Sequence, residues 1–160
     1  MNTRAGRVTS SSFMIAWSFI LLVFFSFFHG YIAYYQSETV GGITTWIREP
    51  LLTHEYYAWL PILITALLLS IAGHIILIIH DRYWLPQIIL ILLNMLGIVT
   101  VATLVSIFPF AFYVIPSSTV ADIVSVSVRI TLIAIAVGLS ICSLVMFIKL
   151  IINLAKATTD

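Results

Sequence analysis

Charged residues are scarce in this chain. They make up 8% of its 160 residues, whereas 62% are hydrophobic and the mean hydropathy is +1.17. Soluble domains carry about 25% charged residues, because a small globule keeps a large exposed area that needs polar cover. The net charge of +1 provides no basic patch for nucleic acid. The composition therefore predicts an integral membrane protein covered by lipid, with no nucleic-acid partner.

Cysteine is almost absent as well. Cys142 is the single cysteine and lies in an apolar run, which excludes an internal disulfide, a CxxC redox pair and a thiolate zinc site. The sequence also lacks the motifs of hydrolases, zinc proteases and nucleotide-binding loops. No carboxylate lies in the middle of an apolar run, where an ion-coupled transporter would need one. These absences predict a protein that is not an enzyme.

Four apolar runs are long enough to cross about 30 Å of hydrocarbon, which takes about 20 helical residues. They cover approximately 13–35, 59–80, 85–108 and 123–150, and aromatic side chains cluster near their ends, as in membrane interface belts. The sequence predicts an all-α integral membrane protein with four transmembrane helices in an up-down bundle. We treat 1–160 as a single membrane domain whose main extramembrane element is the outer loop 36–58.

The basic residues predict which side of the membrane the loops occupy. With the N-terminus inside, the inner segments contain Arg4, Arg7, Arg82, Lys149 and Lys156, whereas the outer positions are Arg48 and Arg129. An excess of basic residues marks the cytoplasmic side. We therefore expect a multi-pass protein with both its N- and C-termini in the cytoplasm.

The outer loop contains the stretch ITTWIREPLL. Its Ile43, Trp46 and Ile47 recur at helical spacing before Pro50, which favours a short helix lying on the outer membrane surface. The alternative is a disordered polar loop. In either case Trp46 and Arg48 are candidate interaction residues on the outer side.

Two polar side chains interrupt the second and third apolar runs at matching depth. At 1.5 Å per residue, His74 lies about 9 Å from the inner boundary and Asn94 about 12 Å from it. Polar groups at such depth are costly unless they are paired. We therefore expect His74 and Asn94 to form a hydrogen bond between the two neighbouring helices, as a structural contact.

The histidines do not form a metal motif. His74 and His80 are six residues apart and lie on opposed helix faces, while His29 and His74 are near opposite ends of their spans. His29 could meet His54 near the outer boundary, but no carboxylate or cysteine is spaced to complete a site. We predict no cofactor, and haem or quinone binding remains the alternative.

Arg129 is the most costly residue within a predicted span. It lies about 10 Å below the outer surface if the fourth span begins near Asp122, and its long side chain can reach upward. Asp122 lies on the same helix face, seven residues away, and we expect an ion pair between Arg129 and an outer-loop acid, which would be Glu38, Glu49 or Glu55. The alternative is a buried cation that binds an anionic lipid, a substrate anion or an acidic partner residue.

The fourth span also carries small residues at four-residue intervals, Ala134, Gly138 and Cys142, which allow another helix to approach closely. Together with the outer loop, this stripe favours an accessory or regulatory subunit that contacts another integral membrane protein. Two other functions remain open: the membrane anchor of a redox enzyme, and a small transporter or channel.

Overall fold

The computed structural model describes residues 4–80 and 85–157. They form four long helices: α1 over Arg4–Val23, α2 over Tyr56–Ile79, α3 over Leu85–Ile107 and α4 over Ser118–Ala157. Each belongs to a segment long and apolar enough to cross a membrane, over Val8–Tyr31, Tyr56–Ile79, Leu85–Ile107 and Ser118–Asn153. The predicted number of spanning helices is confirmed. The short connection predicted between the second and third spans includes residues 81–84, which lie outside the described residues.

The first span ends earlier than predicted. After α1 the chain forms a π-helical turn over Phe24–Phe28 and a 3₁₀ turn over His29–Tyr31. Tyr34 and Tyr35, which the sequence placed at the end of this span, belong instead to the following strand. The Tyr56 hydroxyl donates a hydrogen bond of 2.7 Å to the carbonyl oxygen of Phe25, inside the π-helical turn.

The outer loop forms a β-hairpin, so the chain is mostly helical and not all-α, and the predicted surface helix around Trp46 is wrong. Strand β1, Ala33–Val40, pairs antiparallel with β2, Ile43–Pro50. Gly41 and Gly42 between them have φ of +62° and +83°, the left-handed values that a tight two-residue hairpin turn requires. β-branched and aromatic residues favour strands, and here they outweigh the helical spacing of three apolar side chains.

The helices are arranged in an open row. Each packs antiparallel against its neighbour in the sequence, so α1 contacts α2, α2 contacts α3 and α3 contacts α4. In the described part of the chain, α1 has no extensive contact with α4 that would close a bundle. The up-down order is as predicted, but the outer faces of the two end helices are left uncovered.

One polar contact joins each neighbouring pair of helices. The contacts are Ser18 Oγ to Ser70 Oγ at 3.1 Å (α1–α2), Trp59 Nε1 donating to the Thr100 carbonyl at 2.9 Å (α2–α3), and Asn94 Nδ2 donating to Met146 Sδ at 3.8 Å (α3–α4). Lipid tails do not drive apolar helix faces together as water does, so such contacts help to specify which helices associate.

The buried core lies on α2, toward the end that carries the hairpin. Tyr56, Trp59, Leu63 and Leu67 are buried there, between side chains of α1 and α3. Next to the hairpin, two main-chain hydrogen bonds join the two loops at this end. The Thr53 N–H donates to the Pro109 carbonyl at 3.0 Å, and the Ala111 N–H donates to the Leu51 carbonyl at 2.8 Å. We call this the hairpin end. The hairpin strands themselves do not pack extensively on any helix of the described chain.

Candidate functional site

A groove runs along one face of the helix row, where α1 and α3 flank α2. Its volume is about 300 Å³. Half of its wall is leucine, alanine and valine, and its polar side chains are Ser18, Ser70, His74, Asn94 and Thr100. His74 and Asn94, which the sequence singled out, are thus brought to the same groove.

His74 and Asn94 are not bonded to each other, so the predicted pairing is wrong. His74 Nδ1 is 2.8 Å from the carbonyl oxygen of Ser70, one helical turn earlier on α2. Asn94 reaches the other way, to Met146 on α4. The physical reason is that each side chain finds a nearer partner: His74 a carbonyl of its own helix, and Asn94 a sulfur on the helix that packs against α3.

Arg129 contacts an aromatic ring and not a carboxylate. Its guanidinium carbon lies 4.5 Å from the centre of the Phe108 ring, a cation–π contact. The predicted ion pair with an outer-loop acid is therefore wrong for the described residues. The fourth helix begins at Ser118, and Asp122 is exposed in its second turn. Arg129 lies further along this helix, level with Phe108, the residue that follows α3.

Phe108 adopts a strained backbone conformation at this contact. Its φ is +43°, in the left-handed region that residues other than glycine rarely adopt. Its N–H still donates to the Leu104 carbonyl at 2.8 Å, and Pro109 follows and stops the helix. This turn aims the Phe108 ring at α4, where Arg129 covers it.

The two candidate residues of the hairpin behave differently. Arg48 folds back, donates a hydrogen bond to the Gly30 carbonyl and lies 5.4 Å from the centre of the Tyr31 ring. Trp46 faces outward and is 73% exposed, opposite Ser37 in the strand register. Arg48 therefore attaches the hairpin to the end of the first span, whereas Trp46 is free to contact another molecule.

His29 lies among aromatic rings at the hairpin end. Its ring stacks on Tyr56 with centroids 5.0 Å apart, and its Nε2 is 3.4 Å from the Tyr57 hydroxyl. His54 contacts the other side of the same group, with its ring 5.5 Å from that of Tyr57. The structure thus brings His29 and His54 to one tyrosine. Among the described residues no group of three or more His, Cys, Asp or Glu side chains could hold a metal ion.

A single haem cannot join His29 to His74. His29 stacks on Tyr56, the first residue of α2, and His74 lies eighteen residues further along that helix. At 1.5 Å per residue the two levels are about 27 Å apart. The two histidines therefore belong to separate environments at different depths.

Sequence reasoning missed two of the polar contacts that join the helices, Ser18 to Ser70 and Trp59 to the Thr100 carbonyl. Serine and threonine in apolar spans often bond to their own helix, so their presence alone does not indicate a contact between helices. Thr100 does this through its hydroxyl, 2.8 Å from the Leu96 carbonyl. A search for serines at matching depth in neighbouring spans would have found the Ser18–Ser70 pair.

Comparisons with models of protein families, with curated protein sequences and with solved structures find no match.

Proposed function

We propose that the protein is a non-catalytic accessory subunit of a larger membrane complex, and that its hairpin and the outer face of α4 contact an integral membrane partner. The observation that supports this most strongly is the exposed hairpin, whose strands do not pack extensively on any helix of the described chain. A two-stranded hairpin alone in water is at best marginally stable. A partner surface that covered it would supply the packing that the helix row does not.

The hairpin has the chemistry of a recognition element. Ile43 and Trp46 are 71% and 73% exposed. Tryptophan is enriched at the energetic centres of protein interfaces, because it buries a large apolar area and keeps one N–H donor. The two outer edges of the hairpin also leave backbone groups unpaired, which a further strand can use.

The outer face of α4 offers a second contact surface within the lipid. Ala134, Gly138 and Cys142 are exposed on this helix, and no atom lies within 4 Å of the place where a Gly138 side chain would begin. Small residues at four-residue spacing let a partner helix approach closely and gain van der Waals contacts. We propose that one partner protein contacts both surfaces.

Site-specific photo-cross-linking in native membranes tests this function. A photoreactive phenylalanine analogue would replace Trp46 on the hairpin or Ile141, which is exposed beside the small residues of α4. The matched control is Phe19, equally exposed to lipid but on α1. We expect both test positions to give an adduct with the same integral membrane protein, and the control to give none with it.

Two results would contradict the proposal. One is cross-linking of both test positions to lipid alone. The other is cross-linking only to further copies of this 17.9 kDa chain, which would indicate self-assembly. Labelling of a cysteine introduced at Thr45, in a Cys142→Ser background, with a membrane-impermeant maleimide would test separately whether the hairpin faces outward and the termini face the cytoplasm.

A further inference from the structure

The groove between α1, α2 and α3 contains a polar atom without a partner. His74 is only 5% exposed and lies on the groove wall. Its Nδ1 is 2.8 Å from the Ser70 carbonyl oxygen, which can only accept, so Nδ1 carries the proton. In the neutral ring Nε2 is then an acceptor. Within the described chain the His74 ring makes one hydrogen bond, through Nδ1, and Nε2 makes none.

An acceptor atom in this place needs a hydrogen-bond donor. Water is absent from the hydrocarbon layer, so polar groups there must be satisfied by the protein or by a bound molecule. His74 could have been replaced by an apolar side chain at no such cost. The groove beside it holds a volume of about 300 Å³, at the small end of the range for ligand pockets.

The wall of the groove defines the rest of the ligand. Apolar residues of α1, α2 and α3, six of them leucine, form most of it, so the body of the ligand must be apolar. Met14 and Trp17, on the α1 rim, are exposed, so the groove opens sideways toward the lipid. A molecule dissolved in the bilayer can enter by this route without crossing water.

We propose that this groove binds a lipid-soluble molecule with an apolar body and one hydroxyl group, and that the hydroxyl donates a hydrogen bond to Nε2 of His74. Asn94, on the same wall, has an amide oxygen that can accept a second donor. Both a phenolic hydroxyl on an aromatic ring and an aliphatic alcohol such as a sterol have this chemistry. The site is independent of the hairpin and of the α4 face.

A matched pair of small molecules tests the proposal. The full chain, labelled with ¹⁵N-histidine and reconstituted in lipid nanodiscs, would be titrated with 4-octylphenol and separately with 4-octylanisole. The two probes share ring and alkyl chain, and the anisole lacks only the O–H donor. We expect the His74 Nε2 resonance to shift with the phenol and not with the anisole. His29, His54 and His80 are internal controls, because none of them lines the groove.

A variant measures the contribution of the histidine. In a second sample labelled with ¹⁵N-tryptophan, the indole N–H resonance of Trp17, on the groove rim, reports occupancy independently of His74. His74→Phe keeps an aromatic ring but removes the acceptor, and should weaken octylphenol binding about fivefold, the size expected for one hydrogen bond. Binding of octylanisole should be unchanged.

Each outcome decides the proposal. An unmoved His74 resonance with the phenol, or equal shifts with both probes, would overturn it, and this arm uses the native chain and does not depend on the variant's folding. If the phenol shifts the resonance, titration with cholesterol distinguishes the two sources: a shift shows that aliphatic alcohols also bind, and none restricts the site to aromatic hydroxyls.

Discussion

Substitution of Tyr56 by phenylalanine should destabilise the protein through loss of one hydrogen bond. Tyr56 is the most buried side chain of the core, 1% exposed, and its hydroxyl donates to the Phe25 carbonyl at 2.7 Å. The bond joins α2 to the π-helical turn that follows α1. Phenylalanine keeps the ring and its stacking on His29, so the substitution removes the hydroxyl and little else.

The magnitude follows from the geometry of this bond. Hydrogen bonds between membrane helices average about 0.6 kcal/mol, with a maximum near 1.7 kcal/mol, because the unfolded chain in lipid also finds partners. The Tyr56 bond is short, its donor side chain is almost fully buried, and its loss leaves the Phe25 carbonyl in the π-helical turn without this donor. We expect a loss in the free energy of unfolding of about 1.5 kcal/mol, roughly a tenfold change in the folding equilibrium.

The adjacent tyrosine provides the control. Tyr57 is exposed, and its hydroxyl is 3.4 Å from His29 Nε2, a long contact. Tyr57→Phe should therefore cost less than about 0.5 kcal/mol. Reversible unfolding in mixed detergent micelles, followed by circular dichroism or steric trapping, would measure both variants. The reasoning is refuted if Tyr56→Phe costs no more than Tyr57→Phe.

Three further predictions concern other contacts. A double-mutant cycle with Ser18→Ala and Ser70→Ala should give a coupling energy of about 0.6 kcal/mol between α1 and α2, and additive effects would show that the hydroxyls do not interact. A cycle with Arg129→Gln and Phe108→Leu should give about 0.5–1 kcal/mol in unfolding experiments, and zero coupling would exclude the cation–π contact. Gly42→Ala should destabilise the hairpin by about 1–2 kcal/mol because of its positive φ, increasing the rate of proteolysis there. Gly42→Asn, which tolerates that conformation, should be cut more slowly than the alanine variant.

The spans could be predicted from the sequence because the hydropathy of a segment indicates directly whether lipid or water surrounds it. The third span was placed at 85–108, and α3 covers Leu85–Ile107. The fourth was placed at 123–150, but the apolar helix runs over Ser118–Asn153, since serine, threonine and a single aspartate do not stop a helix. Boundaries were therefore less accurate where the helix extends beyond its most apolar part.

The hairpin and the polar contacts were not predictable in the same way. Three apolar residues at helical spacing favour a helix in the outer loop, whereas two glycines between β-rich segments, Gly41 and Gly42, are a strong hairpin signal. For His74 and Asn94, their matching depth indicated that they lie close to each other, but it did not identify the hydrogen-bond partner of either side chain. A hydrogen bond depends on which atoms lie within about 3 Å, and depth along a helix does not determine that distance.

The open row and its polar contacts have a common physical cause. Lipid does not drive apolar helix faces together, so a helix pair in a membrane needs close packing or a polar contact to prefer one neighbour over lipid. Each of the three neighbouring pairs has one such contact, and the outer faces of the two end helices have none in the described chain. Within each pair the polar contact lies between the two helices. In an open row each end helix has one neighbour, so loss of a polar contact should loosen that pair of helices and leave the other pairs joined. In a closed bundle every helix has a second neighbour that would still hold it. The same openness leaves α4 free to accept a partner without rearrangement of the other three helices.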